Sequence, residues 1–276
     1  MDPVMARKMW RTLEPYHGLI YFAPEATAAY EALGVRGFDG YFASRAAAMG
    51  PVPAEVVVAT FFNFNPELVR RAIPAAWEVA TPAALLEARR SAADLALRRA
   101  TGSHLDTAEV VRAAELARTA AEACTAAGRP LYAAHASLPW PEPPHLALWH
   151  AATLLREFRG DGHLAALVDA GLDGIDALVV HAASGEVPRA ALQTTRGWSD
   201  DAWEASVARL GGRGLLEADG SFTPAGASLR QHIEDCTDAL ALAPWEALGV
   251  AACDELRALV RPLSRAIVES GTFGLG

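Results

Sequence analysis

The chain has 276 residues, long enough for two packed units, with a formal charge of −9, 52% hydrophobic and 21% charged residues. That balance excludes an extensively disordered chain, and the negative sign opposes a protein whose affinity comes from neutralising phosphates. Cys124, Cys236 and Cys253 are far apart and form no CxxC pair, which excludes a disulfide framework or a thiolate zinc knuckle.

Lys8 is the only lysine, and alanine, the strongest helix former, is abundant, so the chain is expected to be mainly α. Met1 to Arg11 lacks the apolar core and cleavage site of a signal peptide, and charges or prolines interrupt each apolar stretch before it reaches bilayer length. A cytoplasmic protein without a membrane partner is expected.

In chain order, the pattern predicts a first helix over Pro3 to Leu13 ending near Pro15, then helices over Glu25 to Leu33, Phe38 to Met49 and Ala54 to Phe62. Pro66 opens a short helix to Ile73 and Pro82 a long one to about Arg99. Asp106 is the expected N-cap of Thr107 to Ala127, closed by Gly128. The proline-rich run Leu138 to Pro144 punctuates the chain most clearly and sets the expected boundary between a helical domain, 1–138, and a second domain, 144–276. His145 to Phe158 follows as a helix stopped by Gly160-Asp161-Gly162.

From His163 the pattern is that of a winged helix. A first helix runs to His181 with a break near Gly171–Gly174, a second covers Pro188 to Thr195, and a third, capped by Ser199, occupies the recognition position through Arg209. Leu215 to Thr223 alternates around Asp219-Gly220 and predicts a small β-hairpin wing. Thr223-Pro224 opens a helix to about Leu242, and a last helix spans about Ala251 to Glu269. The fold class expected is therefore a helical N-terminal domain plus a winged-helix C-terminal domain.

Trp203 to Leu210, Gly214-Leu215-Leu216 and Asp219 to Gly226 together resemble the recognition helix, wing and following helix of MarR-type regulators. Over its whole length the chain also resembles an actinobacterial helix-turn-helix-related family of unassigned function. That resemblance rests on Glu14-Pro15-Tyr16-His17, Gly40-Tyr41-Phe42-Ala43-Ser44-Arg45, Phe61-Phe62-Asn63-Phe64 and Leu148 to Glu157. It implies an architecture and transfers no reaction; the winged-helix pattern, in a class of proteins that commonly dimerise, leads to the expectation of a homodimer.

Operator binding asks the first turns of the recognition helix for basic or amide side chains, whereas these turns offer Asp200, Asp201 and Glu204. DNA is therefore a disfavoured partner, with Arg196, Arg209 and Arg213 compensating only in part. The densest polar cluster, His150 to His163, places His150, Thr153 and Glu157 on one helix face, and the Gly-Asp-Gly turn is expected to bring His163 back to them.

Two chemistries fit these residues. A small-molecule pocket between the two domains would use His17, Tyr21, Tyr41, Phe61, Asn63, Trp149, His150, Arg156 and Arg159, since aromatic walls with a few polar groups hold and orient a ligand. A metal site would use His17, His150, Glu157 and His163, with Glu14 and His17 at ExxH spacing, and His17 is also a candidate axial haem ligand. A salt-bridge and capping network over Arg156 to Asp161 is the structural alternative. GxSxG, Walker, HExxH and GxGxxG signatures are absent, so nucleotide-dependent chemistry has no support and turnover stays open.

Overall fold

The computed structural model describes residues 1–274, and among them the fold is mainly helical. The first helix, α1 (Val4–Gly18), runs straight through Pro15 instead of ending there. Its last turn carries Tyr16 and His17, both wholly buried, so tertiary packing outweighs the helix bond lost at Pro15. The chain continues through α2 (Pro24–Ala32), α3 (Gly37–Ala46) and the short helices α4 (Ala54–Thr60), α5 (Pro66–Ala72) and α6 (Ala75–Val79). The long α7 (Pro82–Thr101) and α8 (Ala108–Glu122) follow. Thr107, not Asp106, caps α8, its Oγ1 accepting from Val110 N.

A helix absent from the expectations, α9 (Pro130–Ala136), leads to α10 (Pro144–Asp169), which does not stop at Gly160-Asp161-Gly162. Gly162 serves close packing. A side chain at Gly162 would meet Arg129 Nη1 at 2.7 Å and Leu240 Cβ at 3.2 Å, and Asp161 accepts a hydrogen bond from Tyr132 N at 2.9 Å. With α10 unbroken, His163 continues along the helix and bonds Thr237 at 2.9 Å, far from turning back towards His150.

The rest of the chain comprises α11 (Gly174–Ala183), α12 (Arg189–Arg196), α13 (Asp200–Gly212), α14 (Pro224–Leu240), α15 (Ala243–Leu248) and α16 (Val250–Glu269). Ser199 and Thr223 cap α13 and α14 as expected. The hairpin wing does not form as strands. Leu215 to Thr223 makes one isolated antiparallel bridge, Leu216 to Phe222, and no strand is present among the described residues. Only Glu217 N to Ser221 O and Thr223 N to Leu215 O extend it, because Pro224, which has no N–H to donate, follows at once and starts α14.

Two hydrophobic cores result, and the proline run does not separate them. The first gathers α1 to α9, the first half of α10 as far as Phe158, and the returning residues Ala241 to Ile267. The second runs from Ala166 to Ile233, built around Trp203, Leu210 and Ile233. α14 fastens one to the other: Asp238 receives Arg7 at 2.8 Å and Arg159 at 2.7 Å, while Arg159 also faces Glu234 at 3.6 Å.

Candidate ligand site at a buried arginine cluster

The C-terminal turn of α1, α3, the middle of α7 and the first half of α10 converge on a polar centre inside the first core. His17 anchors it. Thr153 donates its hydroxyl to Trp149 O at 2.9 Å, so its oxygen accepts from His17 Nδ1 at 3.1 Å. The imidazole therefore carries its proton on Nδ1 and accepts from the Tyr21 hydroxyl at Nε2, 2.9 Å away. Burial holds His17 neutral, well below the usual histidine range.

Three guanidinium groups surround Tyr21 and Glu157. Arg45 donates to the Tyr41 hydroxyl at 2.6 Å, approaches Glu157 at 3.6 Å, and lies over the rings of Phe61 (4.4 Å), Tyr21 (5.0 Å) and Tyr41 (5.3 Å). Arg156 donates to Glu157 at 2.8 Å and stands 4.0 Å from Glu14. Burial pushes the Glu157 carboxyl up, but Arg156 and Arg45 outweigh it and hold this acid far below the usual carboxylate range. For Glu14 burial wins, and its carboxyl is raised.

Arg89, on α7, is different. It is 3% exposed, makes no salt bridge among the described residues, and its Nη1 and Nη2 have no hydrogen-bond partner. The faces of Trp149, at 5.1 Å, and Tyr21, at 5.4 Å, oppose its charge, together with the phenol groups of Tyr21 and Tyr30. An isolated buried cation costs several kcal/mol unless something pairs with it, on the order of magnitude set by ion desolvation. Arg45 Nε is likewise buried without a partner.

Tyr21 also borders a cavity of about 90 Å³, lined by Tyr21, Tyr30, Tyr41, Thr27 and Ser44 among others. Its polar rim is therefore phenols and hydroxyls, and two of its lining rings, Tyr21 and Tyr41, also lie against Arg45.

The structure brings together His17, Tyr21, Tyr41, Phe61, Trp149 and, beside Glu157, Arg156. It does not bring the others. His150 packs edge-on to Trp140 at 4.8 Å and leaves Nε2 without a partner, Arg159 belongs to the α14 network, and Asn63 lies at the second core. The four-residue metal set is dispersed for the same reason, and among the described residues no group of three or more His, Cys, Asp or Glu side chains is placed to hold a metal ion. Haem ligation by His17 fails on geometry, since both ring nitrogens are hydrogen-bonded and the residue is fully enclosed.

Sequence reasoning left Arg45 and Arg89 out, although a signal existed. Arg89 falls on the buried stripe of α7 with Leu85, Ala92, Ala93 and Ala96, where an arginine is out of place.

The aromatic wall of the site continues into a second set of contacts. Phe64 stands 4.9 Å from Phe42 and 5.6 Å from Tyr41. The same loop grips the turn between α12 and α13: Asn65 Nδ2 donates to Gly197 O at 2.8 Å, Asn65 N donates to Arg196 O at 2.9 Å, and Trp198 Nε1 donates to Asn63 O at 2.9 Å. Arg196 covers Phe64 at 4.7 Å.

That turn, Gly197-Trp198-Ser199, joins two helices with a left-handed glycine at its start, φ 74°, as helix-turn-helix units require. Its polar face is self-neutralised. Arg189 pairs with Glu204 at 2.5 Å and Asp200 at 3.1 Å, and Arg209 pairs with Asp176 at 2.7 Å and Asp173 at 3.2 Å. Arg213 donates to the carbonyls of Ala170 and Gly171. No helix among the described residues is long and apolar enough to cross a membrane.

Comparison with curated proteins and with solved structures returns no match. Residues 6–274 match a helix-turn-helix family, and the chain, with its α12–turn–α13 unit seated on a larger helical body, belongs to that family.

Proposed function

We propose that the protein is a small-molecule-binding member of its family, a sensor or sequestering protein, with its ligand held at the Tyr21–Tyr41 cavity in the helical unit. One observation carries this reading. The segment Phe61–Asn65 presents aromatic rings to Tyr41, Phe42 and Arg45 on one side and hydrogen bonds to the α12–α13 turn on the other. A ligand that moves Tyr41 or Arg45 displaces the element that holds the turn, and coupling needs only such a differential contact. On this reading the pocket expected between two domains lies inside the helical unit instead, with the unit from about His163 to Leu240 as its reader.

The finer expectations belong to this reading: a MarR-like winged helix with a vestigial wing, an actinobacterial source, a homodimer and a cytosolic setting. Mass measurement in solution tests the dimer. The test of function is a thermal-shift screen of small polar and aromatic compounds against the full chain, with Trp fluorescence recorded for each hit. A ligand that raises Tm and alters the Trp signal of the wild type, but not the Trp signal of Trp198→Phe, is the expected result. Hits that raise Tm without any Trp198-dependent change would leave a sequestering protein and remove the sensor. No stabilising compound would remove both.

DNA binding is the second reading, favoured by the family and by the α12–turn–α13 geometry. The acidic first turn of α13 and its paired arginines count against it. Salt-sensitive binding to the DNA upstream of its own gene would restore it.

A further inference from the structure

We infer that the ligand is a small anion, a carboxylate of few carbon atoms, and that Arg89 with Arg45 takes its charge. This rests on the small-molecule reading above and names the chemical class of that site's ligand.

The starting point is charge. Arg45 and Arg156 share Glu157, and Arg156 also faces Glu14, but Arg89 has no carboxylate among the described residues. Its two terminal nitrogens are buried and unpaired, and Arg45 keeps a third buried N–H without an acceptor. Guanidinium groups in that condition suit a bidentate oxyanion, which accepts two parallel N–H bonds. The neighbouring histidine does not compete, since His17 is neutral and both its nitrogens are engaged.

Size and access set the rest. The cavity of about 90 Å³ is far below a drug-sized site. Tyr21 is common to both: its ring lies against Arg45 and Arg89, and the same residue lines the cavity. Rotation of Tyr21 about its side-chain bonds, releasing the hydrogen bond to His17, joins the cavity to the two guanidinium groups. The carboxylate then replaces the ring face as the partner of Arg89, while Tyr41, Tyr30 and Ser44 line the remainder of the ligand. A phosphate-bearing ligand of ordinary size does not fit this volume as readily as a short acid.

The experiment uses the full chain and measures Tm with acetate, propionate, isobutyrate and benzoate against the corresponding amides, at constant ionic strength. The variants are Arg89→Met, which keeps the length of the side chain and removes its charge, and Arg89→Lys. Expected are concentration-dependent stabilisation by at least one acid and none by its amide, loss of that response in Arg89→Met, and weakening by tenfold or more in Arg89→Lys, because an ammonium lacks the planar fork. Ligand-free Arg89→Met is expected to melt at or above the wild-type Tm, which also shows that the variant folds. Amides that stabilise as well as acids would overturn the anion inference and leave the pocket. An acid response unchanged in Arg89→Met would overturn the role of Arg89. No response to any acid or amide would overturn the inference, and the wider screen would then decide the small-molecule reading separately.

Discussion

Replacing Asn65 tests whether the loop and the helix-turn-helix unit are energetically joined. Its side chain does two things: Oδ1 accepts from Glu67 N at 2.9 Å, capping α5, and Nδ2 donates to Gly197 O at 2.8 Å. Asn65→Ala removes both. Loss of an N-cap costs about 1 kcal/mol, and a partly exposed neutral hydrogen bond contributes about 0.5–1 kcal/mol, so the expected destabilisation is about 1.5–2 kcal/mol. Asn65→Asp keeps the cap, and its charge suits the helix N-terminus, but it loses the donor and sets a carboxylate oxygen against the Gly197 carbonyl. That variant should lose about 1 kcal/mol despite its better cap. Urea unfolding followed by Trp fluorescence measures both, with Trp198 beside the broken contact. An Asp variant as stable as wild type beside a weakened Ala variant would refute the reasoning: the loop would then cap its own helix and merely lie next to the turn.

Other consequences can be measured in the same way. A side chain at Gly174 would stand 2.0 Å from Phe62 O, so Gly174→Ala should cost about 3 kcal/mol in urea unfolding by forcing the loop off α11. Gly160→Ala, with 3.6 Å to its nearest neighbour, should be tolerated or gain about 0.5–1 kcal/mol. Acid should unfold the protein early. Burial lowers His17 well below its usual value, His135 to about 3, and His150 and His163 to about 4. Groups that are neutral when folded and protonated when unfolded contribute their full stability above about pH 6.5, and each loses about 1.4 kcal/mol per pH unit below it. Asp161 opposes them, because burial raises it to about 6 and its contribution therefore grows as pH falls. The net expectation is a Tm that drops steeply from pH 6.5 to 4.5, and a flat Tm across that window would refute it.

Much of the helical pattern was legible because caps are local. Ser199 and Thr223 each sit one residue before a helix they cap, and the period around Val110 and Ala117 marks a buried face. What failed was punctuation that depends on distant partners. Pro15 and the glycines of α10 are breakers in isolation, yet both lie inside helices because Tyr16, His17, Arg129 and Leu240 pack against those turns. The wing stopped short at a proline instead, since Pro224 has no N–H for a ladder and opens α14. At the site, the aromatic and histidine members were visible as residue types, but their convergence was not. His150 and Glu157 share one helix, and still His150 faces Trp140 while Glu157 faces Arg45, because seven residues along a long helix carries them to different neighbours.

The unbroken course of α10 has a consequence for the order in which the chain becomes a protein. Its first half belongs to a core that is finished only by α16, where Ser264 donates to Thr12 O at 2.7 Å, and its last turns belong to a core complete by Ile233. During synthesis the helix-turn-helix unit therefore leaves the ribosome whole while the body that carries it is still open along the groove that α16 fills. The apolar faces of α1 and α8 wait for the end of translation. A released chain truncated before Val250 should hold a protease-resistant second core on an unfinished first one.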